Sequence, residues 1–158
     1  MGCLTDYLED DMQLSKNFSL LELTKSQTAE RKGIDNTPNA DHIYNLTALA
    51  ENILQPVRDE WGSFIVSSGY RSIALCEAIG SKASSQHANG EAADFEVAGV
   101  DNHRLASWIE ANLNFDQLIL ECYTGGNTGW IHCSYVPHGR KETLTYDRQN
   151  GYRKGLLS

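Results

Sequence analysis

The chain has 158 residues, of which 41% are hydrophobic and 22% are charged, so it is long enough to bury the core of one globular domain. Its formal net charge of -8 and the lack of a basic stripe in the sequence argue against a nucleic-acid partner. No apolar run is long enough to span a bilayer, and the N-terminus lacks a basic segment followed by an apolar one. We therefore expect a soluble monomer with no membrane partner, made in the cytoplasm without a signal peptide.

The first part of the chain predicts an arm, a short helix and a loop. Residues 1–16 are polar and acidic and show no hydrophobic period, which is typical of a loose arm or a short helix. Ser19 and Glu22 have the spacing of a capping box, so we expect a short helix to begin there. Residues 33–39 are rich in turn formers and predict a loop.

A long amphipathic helix is predicted next, over residues 41–61, because apolar residues recur there at three- and four-residue spacing. Pro56 should kink this helix or begin a separate final turn. Residues 64–68 then predict a strand, and Ser72 can cap a helix over residues 73–79. The long helix is expected to be a scaffold for the core.

The second half of the chain is richer in strands. Residues 92–97 predict a strand, and Asp101 can cap an amphipathic helix after it. Residues 117–123 and 130–135 predict two strands joined by a loop with hairpin turn chemistry, and residues 143–146 predict a short strand in a polar tail. We therefore expect an α+β fold, in which a small and mainly antiparallel sheet has helices packed on one side.

The four cysteines are far apart in the sequence and show no CxxC spacing, which argues against a zinc knuckle or a redox motif. They are Cys3, Cys76, Cys122 and Cys133. In a cytoplasmic protein we expect such thiols to be reduced and mostly buried.

Residues 84–95 carry the pattern on which the functional interpretation depends. His87 offers an imidazole and Asp94, seven residues later, offers a carboxylate; zinc binds both kinds of ligand. Gly90 gives the turn between them access to positive φ. The segment therefore predicts half of a zinc site.

Alternation along the strands brings more polar groups to the surface that carries Asp94. In the predicted strands His132 and Glu121 fall on the polar side, and Asp94 also points away from the core. His132 is therefore the best candidate for a third ligand. Three protein ligands and one open position are typical of a catalytic rather than a structural zinc ion.

These motifs resemble those of the zinc peptidase family that includes D-alanyl-D-alanine carboxypeptidases, vancomycin-resistance-type D,D-dipeptidases and phage L-alanyl-D-glutamate endolysins. The matching residues are Ser-Gly-Tyr-Arg at 68–71, Ser-x-His-x-x-Gly-x-Ala-x-Asp at 85–94 and Trp-Ile-His at 130–132. Residues 17–23 and 33–38 also resemble the small, single-domain phage and prophage branch. The resemblance covers most of the chain and implies a hedgehog or D,D-peptidase-like fold.

The resemblance also implies roles for individual residues. His87, Asp94 and His132 are expected to bind one zinc ion. Arg71, the arginine of Ser-Gly-Tyr-Arg, is expected to contact the substrate and the transition state, although an arginine after a strand could also brace a turn.

The catalytic acid is the point where the chain departs from the family. Many members carry it a few residues before the last histidine, but no carboxylate lies between Glu121 and His132. Glu121 is our candidate, because its strand can place it on the metal-facing side; an exposed strand carboxylate is the alternative. Should Glu121 not be the base, Asp116 or Glu91 is the next candidate. The expected reaction is zinc-assisted amide hydrolysis, with Glu121 moving the water proton to the leaving amine.

Further substrate contacts are expected from residues near these motifs. Ser85 is a candidate for orienting His87 or touching the substrate, and a plain loop serine is the alternative. Trp130 is a candidate platform for the substrate, although packing is the more common role of such a residue. His138 lies near the motifs in sequence and could touch the substrate, although a surface histidine is the commoner case.

The expected function is hydrolysis of peptidoglycan stem peptides by a phage or prophage endolysin, at an L-alanyl-D-glutamate or a D-alanyl-D-alanine bond. We expect an arm over residues 1–16, a zinc peptidase domain over 17–147 and a tail over 148–158. The enzyme would be made in the host bacterial cytoplasm and would act on the wall after release, through a holin-type partner or lysis. The alternatives are a non-catalytic, zinc-stabilised binding module and a virion-associated assembly protein.

Overall fold

The structure is a computed structural model that describes residues 12–157. Most of the predicted arm over residues 1–16 lies outside the described residues, and so does Cys3. The described α-helices are α1 (Leu20–Thr24), α2 (Gln27–Lys32), α3 (Ala40–Leu49), α4 (Gln55–Trp61), α5 (Ile73–Ala78) and α6 (Asn102–Asn112). The strands are β1 (Val66–Ser68), β2 (Ala92–Phe95), β3 (Gln117–Glu121), β4 (Trp130–Ser134), β5 (Glu142–Asp147) and β6 (Gly151–Lys154).

The strands form one sheet in the order β1-β2-β4-β3-β5-β6. Neighbouring strands are antiparallel except β3 and β5, which are parallel. The helices contribute one core with the sheet, and α6 contacts β3 and β4. The predicted α+β fold with a mainly antiparallel sheet is confirmed.

The sheet has a core face and a polar face, as the alternation predicted. Phe95, Leu120 and Ile131 belong to the fully buried core. On the opposite face Asp94 of β2 lies directly across from His132 of β4. Because paired residues on neighbouring strands point to the same side, this register brings the two polar groups together.

The predicted long helix is continuous in space but changes its winding. Between α3 and α4 the segment Ala50–Leu54 is π-helical, and Pro56 stands in the first turn of α4. Proline has no N–H to donate, and a helix tolerates it in its first turn. The helix therefore runs on through Pro56 without a break, and its winding changes from π to α one residue before the proline.

Two elements were not predicted. The first is α2, whose N-cap Ser26 accepts a hydrogen bond from the backbone N–H of Ala29. The second is β6, which pairs with β5 and continues the sheet into the predicted tail. The dipeptide Asn150-Gly151 is a typical hairpin turn and was the signal that could have identified β6. The predicted domain bounds of 17–147 stay a prediction.

Gly90 joins the motif segment to the long helix. Its φ is +76°, and a Cβ there would lie 2.7 Å from the backbone oxygen of His42 in α3. Gly80 has nearly the same φ, +77°, but open space around the Cβ position. Substitutions at the two glycines therefore distinguish the cost of a left-handed backbone from the cost of a steric clash.

We predict that Gly80→Ala lowers the free energy of unfolding by about 1 kcal/mol, the cost of a left-handed conformation with a side chain. Gly90→Ala should cost about 2–4 kcal/mol, because the new methyl group must also displace the backbone of α3. Urea unfolding of both variants measures the difference. Equal losses in the two variants would show that the contact with α3 does not restrict residue 90.

Candidate metal centre

His87 is held rigidly by the backbone around it. It lies in a short 3₁₀ turn, Gln86–Asn89, at whose start the Ser85 hydroxyl accepts a hydrogen bond from the His87 N–H. The backbone oxygen of His87 in turn accepts a hydrogen bond from the N–H of Arg71, at 3.0 Å. The side chain is almost fully buried. Ser85 therefore caps the turn that carries His87.

One hydrogen bond determines how the His87 ring is used. Its Nδ1 lies 2.7 Å from the backbone oxygen of Gly69. A carbonyl oxygen can only accept, so Nδ1 carries the proton and Nε2 of the neutral ring carries a lone pair. A residue larger than glycine does not fit at position 69, because its Cβ would collide with the backbone oxygen of Leu23.

Asp94 and His132 complete a compact group with His87. Asp94 Oδ1 lies 3.0 Å from His132 Nδ1 and 3.4 Å from His87 Nε2. One ligand atom from each residue can be chosen so that all lie within 4.8 Å of one another. Two imidazoles and a carboxylate are a ligand set that suits zinc.

The surroundings of His87 Nε2 support a cation at this position. The atom is buried and has no hydrogen-bond partner among the residues that the structure describes. Its lone pair faces the Asp94 carboxylate, which is also an acceptor. Two buried acceptors that face each other are unfavourable unless a cation binds both, so the three residues fit a metal ion.

The pKa of Asp94 shows that the carboxylate is ready to bind. Burial opposes its ionisation, but the hydrogen bond with His132 and the proximity of the His87 ring outweigh burial and hold the pKa of Asp94 below its ordinary value. Asp94 is therefore anionic at neutral pH, the form in which a carboxylate binds a metal.

An open cavity of about 620 Å³ gives access to this group. Besides the three candidate ligands, its lining includes four of the residues expected from the sequence: Arg71, Ser85, Glu121 and Trp130. His138 is elsewhere, in a smaller pocket of about 310 Å³ beside Asn114 and Lys141. A substrate contact from His138 therefore stays a prediction that its position does not favour.

Glu121 lies on the polar face of β3, where the alternation placed it. Its neighbour two residues back, Ile119, is paired directly with His132, so the carboxylate lies beside the candidate ligands. Burial, together with the negative charge of Asp94, raises the pKa of Glu121. A carboxylate whose pKa is raised towards neutrality is a better proton acceptor for catalysis.

Arg71 is held at the edge of the cavity. Its backbone is fixed by the hydrogen bond to His87, and its Nε is buried without a hydrogen-bond partner among the described residues. Its side chain lines the metal cavity and also an adjoining groove of about 710 Å³. The guanidinium can therefore reach a ligand that extends from the cavity into the groove.

An ion pair between Asp116 and Arg140, which we call the brace, lies next to the cavity and was not predicted. The Asp116 carboxylate accepts hydrogen bonds from Arg140 through the backbone N–H, Nε and Nη2, at 2.9–3.0 Å, and from Gln86 Nε2 at 2.8 Å. The bonds from Arg140 lower the pKa of Asp116 to about 2. Because Gln86 precedes His87, this ion pair anchors the turn that carries the first ligand. Because the Asp116 carboxylate already accepts these four hydrogen bonds, it is unsuited to be the catalytic base.

Glu91, the other alternative base, does not line the cavity and accepts a hydrogen bond from Asn89. Two further residues of the cavity, Arg140 and Tyr152, come from the last part of the chain. No motif in the sequence pointed to either one.

Comparison with known families agrees with this geometry. The family model of peptidase M15 matches residues 16–134, well over half of the chain. The chain belongs to the peptidase M15 family. No curated protein matches the sequence.

Membership of peptidase M15 confirms the resemblance to zinc D-alanyl-D-alanine carboxypeptidases and indicates a metallopeptidase. The matched region contains His87, Asp94 and His132, together with Arg71 and Glu121. None of the helices in residues 12–157 is both long and apolar enough to cross a membrane.

The ligand set gives the first prediction for this site. Replacing His132 by Ala should weaken zinc binding by more than about 100-fold, since loss of a ligand costs more than loss of a group that only orients one. The measurement is competition for zinc with a chelating dye. His138→Ala removes a histidine that lies in another pocket and should leave the affinity unchanged. If both variants keep the original affinity, His132 is not a ligand.

The brace gives a second prediction, on stability. In metal-free protein Asp116→Asn should lower the free energy of unfolding by about 1–3 kcal/mol at pH 7. The pKa of Asp116 is about 2 in the folded chain and 3.8 when unperturbed, so its contribution is complete above pH 4 and is lost as the pH falls towards 2. Urea unfolding at pH 7 and at pH 3 measures this, and a difference between wild type and variant that stays constant would contradict it.

Proposed function

We propose that this protein is a zinc-dependent peptidase that hydrolyses the stem peptides of peptidoglycan, as an endolysin of a phage or prophage. The observation that carries the proposal is the position of Glu121 in the same cavity as His87, Asp94 and His132. Three zinc-type ligands with a carboxylate of raised pKa beside them are typical of a zinc hydrolase, whereas a structural zinc site needs no such proton acceptor.

In this proposal the two histidines and Asp94 hold one zinc ion. Zinc bound by these residues would lower the pKa of a water molecule and polarise the scissile carbonyl group. His87 contributes Nε2, because its Nδ1 is committed to the Gly69 carbonyl. That hydrogen bond also increases the basicity of the ligand and fixes the ring plane.

Glu121 is proposed as the general base and then the general acid. Its carboxylate takes a proton from the attacking water and passes it to the nitrogen of the leaving amine. The raised pKa favours the first step, because the carboxylate then accepts the water proton more readily than an ordinary glutamate does.

Arg71 is proposed to bind the negative charge of the substrate. Its guanidinium can stabilise the oxyanion that develops on the scissile carbonyl, or hold a carboxylate of the peptide by two parallel hydrogen bonds. The buried Nε without a partner supports this role, since a ligand at the cavity edge would supply the acceptor it lacks. Ser85 and Trp130 line the same cavity and are proposed as further contacts.

The alternative of a non-catalytic module depended on the missing acid before His132. Glu121 lies on the strand next to that of His132 and occupies the same cavity, which supports catalysis instead. We further propose that release to the cell wall uses a holin-type partner or lysis. The proposal leaves the L-alanyl-D-glutamate and D-alanyl-D-alanine bonds as the two candidate substrates.

The decisive variant is Glu121→Gln, which keeps the shape of the side chain but cannot accept a proton. We predict unchanged zinc content and a fall in hydrolysis of purified peptidoglycan by about 10²- to 10⁴-fold. Mass spectrometry of the released fragments measures the rate and identifies the bond. Wild-type rates in this variant would move the base to another residue. Stoichiometric zinc without any cleavage by the wild type would favour the binding module.

A further inference from the structure

A row of aromatic side chains crosses the polar face of the sheet beside the candidate metal centre. Trp130 of β4 is paired with Glu121 of β3, Glu121 with Tyr146 of β5, and Tyr146 with Tyr152 of β6. Directly paired residues share a face, so these four side chains stand in one line on the side that carries His132. We call Trp130, Tyr146 and Tyr152 the aromatic row.

The two ends of the aromatic row are open to solvent. Tyr152 is 62% exposed and Trp130 is 37% exposed, although both are large and apolar. The rings of Tyr146 and Tyr152 pack with their centroids 4.6 Å apart, so the two rings support each other. Trp130 and Tyr152 also line the metal cavity, which makes the row continuous with the proposed active site.

The length of the row indicates an extended ligand. Neighbouring strands are about 4.8 Å apart, so the row from β4 to β6 is about 14 Å long. This length exceeds a single ring of any kind. A chain of linked rings could therefore lie along it while a group attached to the chain reaches the metal cavity.

The chemistry of the row matches sugar rings better than a peptide. Tryptophan and tyrosine present a flat apolar face with a polar tip, and a sugar ring likewise presents C–H groups on its face and hydroxyl groups at its edge. Stem peptides consist largely of alanine and acidic residues, whose side chains are too small or too polar to cover three rings. Neutral sugars are also not repelled by the formal net charge of -8.

We propose that the aromatic row binds the glycan strand to which the stem peptide is attached. This inference deepens the proposed function and rests on it for the identity of the polysaccharide. The sugar rings stack on Tyr146 and Tyr152 at one end of the row and on Trp130 at the other, and the attached peptide enters the cavity between them, at Glu121. The enzyme therefore prefers stem peptides that are still joined to glycan.

The test is direct binding of glycan strands from which the stem peptides have been removed, together with a neutral oligomer of N-acetylglucosamine, because the removal leaves carboxylates on the strand. Such strands carry no bond for a peptidase, so the zinc-loaded wild type can be titrated by calorimetry or by NMR. We expect Tyr152→Ala to weaken binding by about 3- to 10-fold, the loss expected for one stacking partner. Tyr152→Phe keeps the ring and should retain most of the affinity.

Tyr44 provides a matched control, because it is a tyrosine on α3 that is 75% exposed and does not line the metal cavity. Tyr44→Ala should leave glycan binding unchanged. No binding by the wild type, or equal affinity in wild type and Tyr152→Ala, would overturn the proposal.

A second measurement separates this inference from the proposed function. The ratio of kcat/KM for glycan-linked peptide to that for free stem peptide should fall in Tyr152→Ala, mainly through a higher KM for the glycan-linked peptide. A wild type that binds glycan but cleaves neither substrate would refute the peptidase and leave the glycan site standing. If the wild type hydrolyses glycan-linked and free stem peptide with the same kcat/KM, the aromatic row does not contribute to hydrolysis of peptidoglycan.

Discussion

The candidate metal centre depends on one buried hydrogen bond, between His87 Nδ1 and the backbone oxygen of Gly69. It selects the tautomer of the imidazole and turns the lone pair of Nε2 towards Asp94. The same two segments are joined a second time by the bond from Arg71 N–H to the His87 oxygen. The loop after β1 and the turn before β2 are therefore fixed to each other, and the candidate ligand and the candidate substrate arginine move as one unit.

The register of the sheet supplies the rest of the site. Because β4 lies between β2 and β3, His132 has Asp94 on one side and Ile119 on the other, with Glu121 one pleat further along. A slip of one residue in β4 would turn His132 into the core and bring Ile131 to the polar face. The buried Ile131 and Cys133 oppose such a slip, so the hydrophobic core also secures the geometry of the polar face.

Much of this arrangement could be predicted from the sequence, since alternation and capping are local signals. Strand periodicity alone placed Asp94, His132 and Glu121 on one face, and Ser19, Ser72 and Asp101 cap helices as predicted. The choice of His132 over other histidines needed the family resemblance, because a single histidine on a strand has many uses.

Two of the missed features depend on contacts between distant residues. The brace and its hydrogen bond from Gln86 join Gln86, Asp116 and Arg140, which are up to 54 positions apart in the sequence. No local pattern indicates that Arg140 forms hydrogen bonds with the buried carboxylate of Asp116. The aromatic row requires the pairing of β3 with β5, a parallel contact that the sequence does not reveal. β6 was missed because its residues are mostly exposed and lack the hydrophobic alternation of a buried strand.

The central claim is that His87, Asp94 and His132 hold one zinc ion with a position left for substrate. X-ray absorption at the zinc edge of the purified protein tests it most directly. We predict only nitrogen and oxygen ligands at about 2.0–2.2 Å, with the scattering pattern of two imidazoles. A zinc–sulfur distance near 2.3 Å would instead assign the metal to a cysteine and contradict the site described above.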